Sequence, residues 1–405
     1  MGEAGGAARR TGAARRAGGA ARRTGAIVVG GGIVGLSTAY HLAAAGLRDV
    51  VLLEREAGLG LGSTGKCAGG FRHQFSSEVN VRLSLESVRM IRSFSDVHGL
   101  PLDVHADGYL FLCRDEPTWS SYRAAAAMQR ALGARVELLD AAACEELIPG
   151  LAVEDVVGAT FGPDDGIADP SGLVNGYATV ARREGATIRT GVTVTALETS
   201  PDGGRVTGVR TIEGRIDAPL VILTAGVWSP AIAATAGAEL MVEPHPRQLV
   251  QTTDFPGRPG RRTLVIDAGS MCFFHREGAG VLMGVPPATD PATFAMTPDD
   301  RFVAEELLPA AIRVLPSIEE AGLATTWVGL YEMTPDHHPL IGPVAGLDGL
   351  LVATGFSGHG FQHAPITGRL LAEIATTGAA RTVDIRALRP ERFAAGEPVV
   401  EAFVV

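Results

Sequence analysis

The residues of this chain whose types and spacing could do chemistry begin with Gly30-x-Gly32-x-x-Gly35, followed 19 positions on by Glu54. Each glycine of such a fingerprint has a mechanical reason. Gly30 permits a tight turn out of a strand, Gly32 lets a pyrophosphate approach the backbone, and Gly35 lets helix and strand pack closely. The phosphates would meet free N–H groups at the positive end of a helix, those of Ile33 and Val34 foremost. Glu54 stands where a carboxylate accepts both hydroxyls of an adenosine ribose, and it would repel a 2′-phosphate, which argues against NADP. A second group is the stretch 58–70, GLGLGSTGKCAGG, with the hydroxyls of Ser63 and Thr64 and the only lysine of the chain, Lys66. So much glycine cannot fill a core, but it can lie against a flat or phosphorylated ligand. Arg72 follows directly, and its guanidinium can grip a carboxylate in two parallel bonds without ever deprotonating. A third group is Gly355–Gln362, GFSGHGFQ, with His359 set between glycines. His359 and His363 have the i, i+4 spacing of a metal pair, but no third ligand accompanies them and no metal is expected.

For these groups to converge, the chain needs elements that carry them to one place. Ile27–Val29 reads as a strand, the alanine-rich run to Ala45 as a helix that Gly46 can end, and Val50–Leu53 as a second strand. An amphipathic helix is expected from Glu78 to Val97, stopped by Gly99 and Pro101. Strands and helices then alternate to residue 149, with a further strand from Val156 to Phe161. Asp169-Pro170 opens a helix to Arg183, and Leu220–Leu223 is a buried strand running into Thr224-Ala225-Gly226. Between residues 239 and 287 the pattern changes to short alternating strands, which reads as antiparallel β. Pro298, capped by Thr297, opens a helix to about Leu315. Strands return over 326–333 and 350–353, and Pro365 starts a last helix that Gly378 ends. The chain thus leaves a nucleotide domain, visits a β-rich one and comes back.

Composition bounds the function. Hydrophobic residues make up 46% and charged ones 20%, as in a globular protein with an ample core. Six arginines against Glu3 give the first 24 residues +5, which leaves −15 for the rest of a chain whose total is −10. So acidic a body does not track nucleic-acid phosphates, and no apolar run is long enough to span a bilayer. Residues 1–25 are expected to be a disordered basic leader: the arginine pairs there lack the apolar core of an export signal. A cytoplasmic location is expected, with the four cysteines reduced.

GGGIVGLSTAYHLA, GSTGKCAGGFRHQF, LTAGVWSP, YEMTPDHHPLIGP and GFSGHGFQHAP together resemble the D-amino-acid oxidase superfamily. Within it the likeness is to the branch of sarcosine oxidase, glycine oxidase, dimethylglycine dehydrogenase and the β subunit of dye-linked L-proline dehydrogenase. The resemblance implies an α/β plus antiparallel-β architecture: a Rossmann-like FAD-binding domain (26–90, 150–231 and 325–385) interleaved with a mixed or antiparallel-sheet substrate domain (91–149 and 232–324). Residues 386–405 are left as a tail. It implies FAD, with Gly30, Gly32, Gly35, Glu54, Arg55 and Val194 on the ADP and Ala225, Gly226 and Trp228 near the diphosphate. The loop Gly62, Ser63, Thr64, Ala68, Gly69, Gly70 would line one face of the flavin ring. Gly329, Gly355 and the run Gly358, His359, Gly360, Phe361, Gln362 complete the expected cofactor contacts. The helix starting at Pro365 would point its N-terminus at the pyrimidine edge, where reduction places negative charge.

The same resemblance implies that Arg72 pairs with the substrate carboxylate and that Tyr331, His359 and Gln362 complete the active site. The activity implied is oxidation of the C–N bond of a small amino acid or N-methyl amine, such as sarcosine, proline or dimethylglycine, by hydride transfer to flavin N5. Three positions depart from sarcosine oxidase. Gly329 stands where its cysteine links covalently to FAD, so non-covalent FAD is expected. Gln362 replaces a carboxylate-binding lysine, and Leu282 falls where a lysine helps dioxygen react. A dehydrogenase passing electrons to a quinone or protein carrier is therefore favoured slightly over an oxidase using O2. Two other readings stay open: a 2-hydroxy acid oxidoreductase on the same fold, and an FAD-bearing subunit of a multi-subunit complex. Homo- and hetero-oligomers are equally compatible with the sequence.

Overall fold

Ala26–Val29 is buried at every residue and lies near the middle of a six-stranded sheet. The computed structural model describes residues 22–404. Across the sheet the order is Thr187–Arg189, Val50–Leu53, Ala26–Val29, Val221–Leu223, Leu350–Thr354 and Leu340–Pro343. Only the last pairing is antiparallel. Strands covered on both faces by other layers read as unbroken Val/Ile/Leu runs, which is why VVLL and VIL show no alternation.

One face of this sheet carries the helices Ile33–Ala44, Pro170–Arg183 and Gly360–Thr377, and their buried side chains form one apolar cluster. Gly368 sets how close the first and last of them lie, because a Cβ there would stand 2.3 Å from the Ser37 hydroxyl. The opposite face is covered by a four-stranded sheet in the order Arg22–Arg23, Gly214–Asp217, Val206–Thr211, Val194–Thr199.

The second part of the molecule is built on an eight-stranded sheet. Its order is Leu323–Met333, Glu243–Thr252, Gly280–Gly284, Phe273–Glu277, Leu264–Asp267, Tyr109–Cys113, Gly158–Gly162 and Glu137–Leu139. All neighbours are antiparallel except Leu264–Asp267 with Tyr109–Cys113. The helical turns from Asp300 to Val314 pack on one face through Val303, Leu307, Ala311 and Val314.

Several expectations need correcting. Residues 1–21 of the leader lie outside the described residues, but the chain is already paired at Arg22–Arg23, and the Thr24 N–H donates to Asp217 O at 2.9 Å. The strands Gly158–Gly162 and Leu323–Met333 were placed with the FAD-binding segments, yet both are ladder partners in the eight-stranded sheet. Pairing partners distant in sequence decide this, and local pattern does not carry that information. The helix expected over 78–97 breaks at Ser93 into Glu78–Arg92 and Phe94–His98. Asp299, not Thr297, caps the helix at 300, because its carboxylate accepts from the Arg301 and Phe302 N–H groups.

The last helix begins at Gly360, so Pro365 lies inside it. Proline lacks the N–H that a helix interior needs. Beside it, Ser87 from the helix Glu78–Arg92 bridges the next rung of the helix: its hydroxyl donates to Gln362 O and accepts from the Ile366 N–H at 3.4 Å.

Candidate active site

The fingerprint forms the floor of a cleft. Gly30 leaves the first strand at φ 111°, and a Cβ there would lie 2.5 Å from Thr224 O. A Cβ on Gly35 would lie 2.0 Å from Gly30 O, so this glycine serves close packing and does not reach the cleft. Beside Gly32 a Cβ would meet only the Thr64 hydroxyl, at 3.4 Å, so the backbone is open on the cleft side. The expectation for Ile33 needs correcting: its N–H already donates to Thr64 Oγ1 at 3.2 Å. Glu54 accepts from the Gly31 N–H at 2.6 Å and the Glu56 N–H at 2.8 Å.

Gly30, Gly32, Ile33, Glu54 and Thr64 line a cavity of about 680 Å³ together with Val194, Ala225, Gly226 and Trp228. Arg55 stacks its guanidinium 3.8 Å from the Trp228 ring at the cavity's edge. A second, narrower cavity of about 150 Å³ continues from it, with Ile33, Val34, Ser63, Thr64, Lys66, Leu330 and Glu332 in both walls. Ala68, Gly69, Gly70, Arg72, Gly329, Tyr331, Gly358, His359, Gly360, Phe361 and Gln362 line this second part. Of the expected cofactor residues, Gly62 lines only the first cavity, and Gly35 and Gly355 line neither. Gly355 instead turns the chain at φ 76° and donates its N–H to Glu332 Oε2 at 3.1 Å.

Arg72 is 3% exposed, and among the described residues its guanidinium is held by neutral groups. It donates to Gln74 O and to Phe403 O, the latter at 2.5 Å, and meets His359 Nε2 at 3.3 Å. Its Cζ lies 4.1 Å from the centroid of the Phe75 ring and 5.2 Å from that of Phe111. Among the described residues no carboxylate comes within ion-pair distance of it. His359 is held neutral: burial first, and then the charge of Arg72, push its pKa well below the usual histidine value. A neutral imidazole accepting from Arg72 at Nε2 carries its proton on Nδ1.

Gln362 clasps the Arg72 backbone from both sides, accepting from its N–H at 3.0 Å and donating to its carbonyl at 3.3 Å. Its remaining N–H faces Ser84 Oγ at 3.2 Å and His363 Nε2 at 3.1 Å. Tyr331 stands across the cavity with Arg247 5.1 Å from its ring, and burial raises the pKa of its phenol.

A sequence pattern described as "DAO: FAD dependent oxidoreductase" matches residues 26–374. The chain belongs to this family. FAD is therefore its cofactor, and the protein is an FAD-dependent oxidoreductase. "FAD-dependent oxidoreductase domain-containing protein 1" of Xenopus laevis is 31% identical over 93% of this chain and 84% of its own length. Human mitochondrial sarcosine dehydrogenase is 30% identical over 85% of this chain, which spans only 39% of that protein. Among solved structures, L-proline dehydrogenase from P. horikoshii superposes with a TM-score of 0.87 at 29% identity, covering 94% of this chain and all of that one. Glycine oxidase from Geobacillus kaustophilus gives 0.80 at 25% identity, covering 92% of this chain and 99% of that one.

The cleft fits FAD. A pyrophosphate needs the bare backbone beside Gly32, and the ribose an acceptor such as Glu54. A planar ring fits the glycine-lined second cavity, and the N-terminus of the helix Gly360–Thr377 opens onto it. This start, five residues before Pro365, brings the free N–H groups of Gly360–Gln362 to the ring pocket itself. Gly329 has no side chain to offer a flavin, and a Cβ there would lie 3.1 Å from Lys66 Cβ.

Some residues of the cleft were not anticipated. Arg247 grips Asp290 in two bonds of 2.8 and 2.7 Å beside Tyr331. Glu332 joins both cavities and is kept towards its protonated form by burial. Tyr109 faces Gly70, and Phe403 reaches Arg72 from the segment expected to be a tail. Among the described residues no cluster of three or more His, Cys, Asp or Glu could hold a metal, and no helix is long and apolar enough to cross a membrane.

Proposed function

We propose that this chain oxidises the C–N bond of a small amino acid or N-methyl amino acid whose carboxylate pairs with Arg72. The observation carrying this reading is a buried cation in the cavity wall whose hydrogen-bond partners among the described residues are all neutral. A guanidinium satisfied by carbonyls keeps its charge uncompensated, and an incoming carboxylate is the group that compensates it. Arg247 offers no such opening, since Asp290 already neutralises it. Relatives named for sarcosine, proline and glycine support the reading, because each of those substrates carries an amine one carbon from a carboxylate.

When bound, FAD supplies the hydride acceptor. The chain's residues then have positioning and electrostatic tasks. Arg72 fixes the carboxylate end, and Gln362 fixes Arg72. Neutral His359 adds no second positive charge beside the amine, and the buried Tyr331 phenol keeps its proton at neutral pH. The apolar walls Leu249, Leu264, Ile266 and Phe273 exclude water from the small cavity.

The test is anaerobic mixing of the yellow protein with sarcosine, L-proline, dimethylglycine and D-alanine, with lactate beside them. One or more of the amino acids should bleach the flavin and lactate should not; bleaching by lactate alone would move the protein to the hydroxy-acid reading. Acid precipitation of the same sample should leave the colour in the supernatant, as expected for non-covalent FAD.

A further inference from the structure

The segment after the last helix is a strap fastened at three depths. Arg392 is fully buried and grips Asp336 with bonds of 2.8 and 2.7 Å. Further along, the 1%-exposed Glu401 accepts from Ser76, Ser77 and Asn80, including the Ser76 N–H at 2.7 Å and the Ser77 hydroxyl at 2.7 Å. Beyond it the Phe403 ring stacks on Tyr122, centroids 3.9 Å apart and planes within 9°. Only then does the Phe403 carbonyl reach the guanidinium of Arg72. Each fastening is made by buried groups, and together they fix the position of that carbonyl.

We propose that residues 399–403 are a positioning strap that aims Arg72 at the substrate carboxylate, with Phe403 supplying the acceptor and Glu401 and Tyr122 fixing where it sits. This rests on the reading of Arg72 given above. A planar guanidinium has five N–H groups in fixed directions, so the acceptors behind it decide which of them face the cavity. A carboxylate in Phe403's place would orient Arg72 equally well but would cancel its charge. A main-chain carbonyl orients it and leaves the charge for the ligand. Glu401 is kept ionised: burial opposes this, but hydrogen bonds from Ser76 and Ser77, with the charge of Arg72 as a lesser contributor, outweigh the burial. It lies behind the strap without making an ion pair to Arg72.

The test uses the FAD-loaded full chain and reads binding through the flavin absorbance spectrum. The probes are pyrrole-2-carboxylate and its neutral amide, which share size and ring but differ in charge. Phe403→Ala should weaken the carboxylate about tenfold while the amide changes less than about twofold. Glu401→Gln, an isosteric change, should show the same split to a smaller degree and serves as the reporter if Phe403→Ala does not fold. Phe403→Tyr keeps the stacked ring and should restore carboxylate binding. Equal weakening of both probes, or no change in the carboxylate for both variants, overturns the strap. Arg72→Ala separates the two ideas. If it abolishes the carboxylate preference while Phe403→Ala and Glu401→Gln do not, only the strap fails. If it leaves the preference intact, the reading of Arg72 itself fails.

Discussion

Arg72 gathers the consequences at the scale of single residues. If Arg72 pairs with the substrate carboxylate as proposed, its replacement by alanine should remove a charge-assisted contact, a loss of roughly 2–4 kcal/mol, or about 30- to 1000-fold in kcat/KM. Arg72→Lys keeps the charge but not the fork, and its cost should be smaller. Steady-state kinetics on whichever amino acid bleaches the flavin decide this, and a change of less than about threefold for Arg72→Ala would remove Arg72 from the substrate site. The place of Arg72 in the cavity wall was legible in the sequence because only Phe71 separates it from a glycine-rich loop too bare to fill a core. The task of Gln362 was not, since a glutamine reads as a substrate contact or a brace with equal ease. Only the two bonds to the Arg72 backbone show that it braces. Arg247 was hidden for another reason. It reaches the site through the register that sets His245 opposite Tyr331 and Arg247 opposite Gly329, and register between strands about 80 residues apart has no local signature.

At the scale of elements, the strand Gly280–Gly284 carries Leu282, where the resemblance to sarcosine oxidase expects a lysine, and Leu282 lines neither cavity. Leu282 is 4% exposed within an apolar cluster that includes Leu249, Ile266 and Phe273. No fixed cation there can ease electron transfer to dioxygen. Reduced enzyme should therefore reoxidise slowly in air-saturated buffer and faster with a quinone or dye, as stopped-flow traces would show. Leu282→Lys should raise the oxygen rate while destabilising the strand, because it buries an unpaired ammonium. A wild-type oxygen rate matching substrate-driven reduction would point instead to Lys66, which lines both cavities and whose ammonium meets only the Met296 thioether, at 3.2 Å, among the described contacts. Elements with strong end signals were legible. Asp169-Pro170 caps the helix to Arg183 as read, with the Asp169 carboxylate taking the Ser171 and Gly172 N–H groups. Pro365 misled because its usual place is a helix's first turn, and the Ser87 hydroxyl that bridges Gln362 O and the Ile366 N–H beside it comes from a helix far earlier in the chain.

Across the whole molecule, buried neutral histidines set the acid limit. Burial, with Arg369 and Arg72 as lesser contributors, holds His41 and His363 neutral down to a pKa of about 3. Unfolded, each would take a proton near 6.5, so the unfolded chain binds more protons at every pH between these values. Stability is then complete above about pH 6.5 and falls below it by roughly 1.4 kcal/mol per pH unit for each histidine. Urea midpoints should drop between pH 7 and pH 5, with His363→Gln flattening the slope; a wild-type profile level over that range would mean these rings are charged in the fold. The two-part architecture was legible from the change of period near residue 239, whereas membership of individual strands was not, since it depends on partners far along the chain. That interleaving also orders events during synthesis. Val221–Leu223 is flanked by Ala26–Val29 on one side and by Leu350–Thr354 on the other. A growing chain holds the first neighbour early, but it keeps the other edge of that strand unpaired until more than a hundred further residues, through Thr354, have left the ribosome. For all that interval the cleft has no far wall, and an unpaired apolar strand edge is what chaperones recognise and what aggregates recruit.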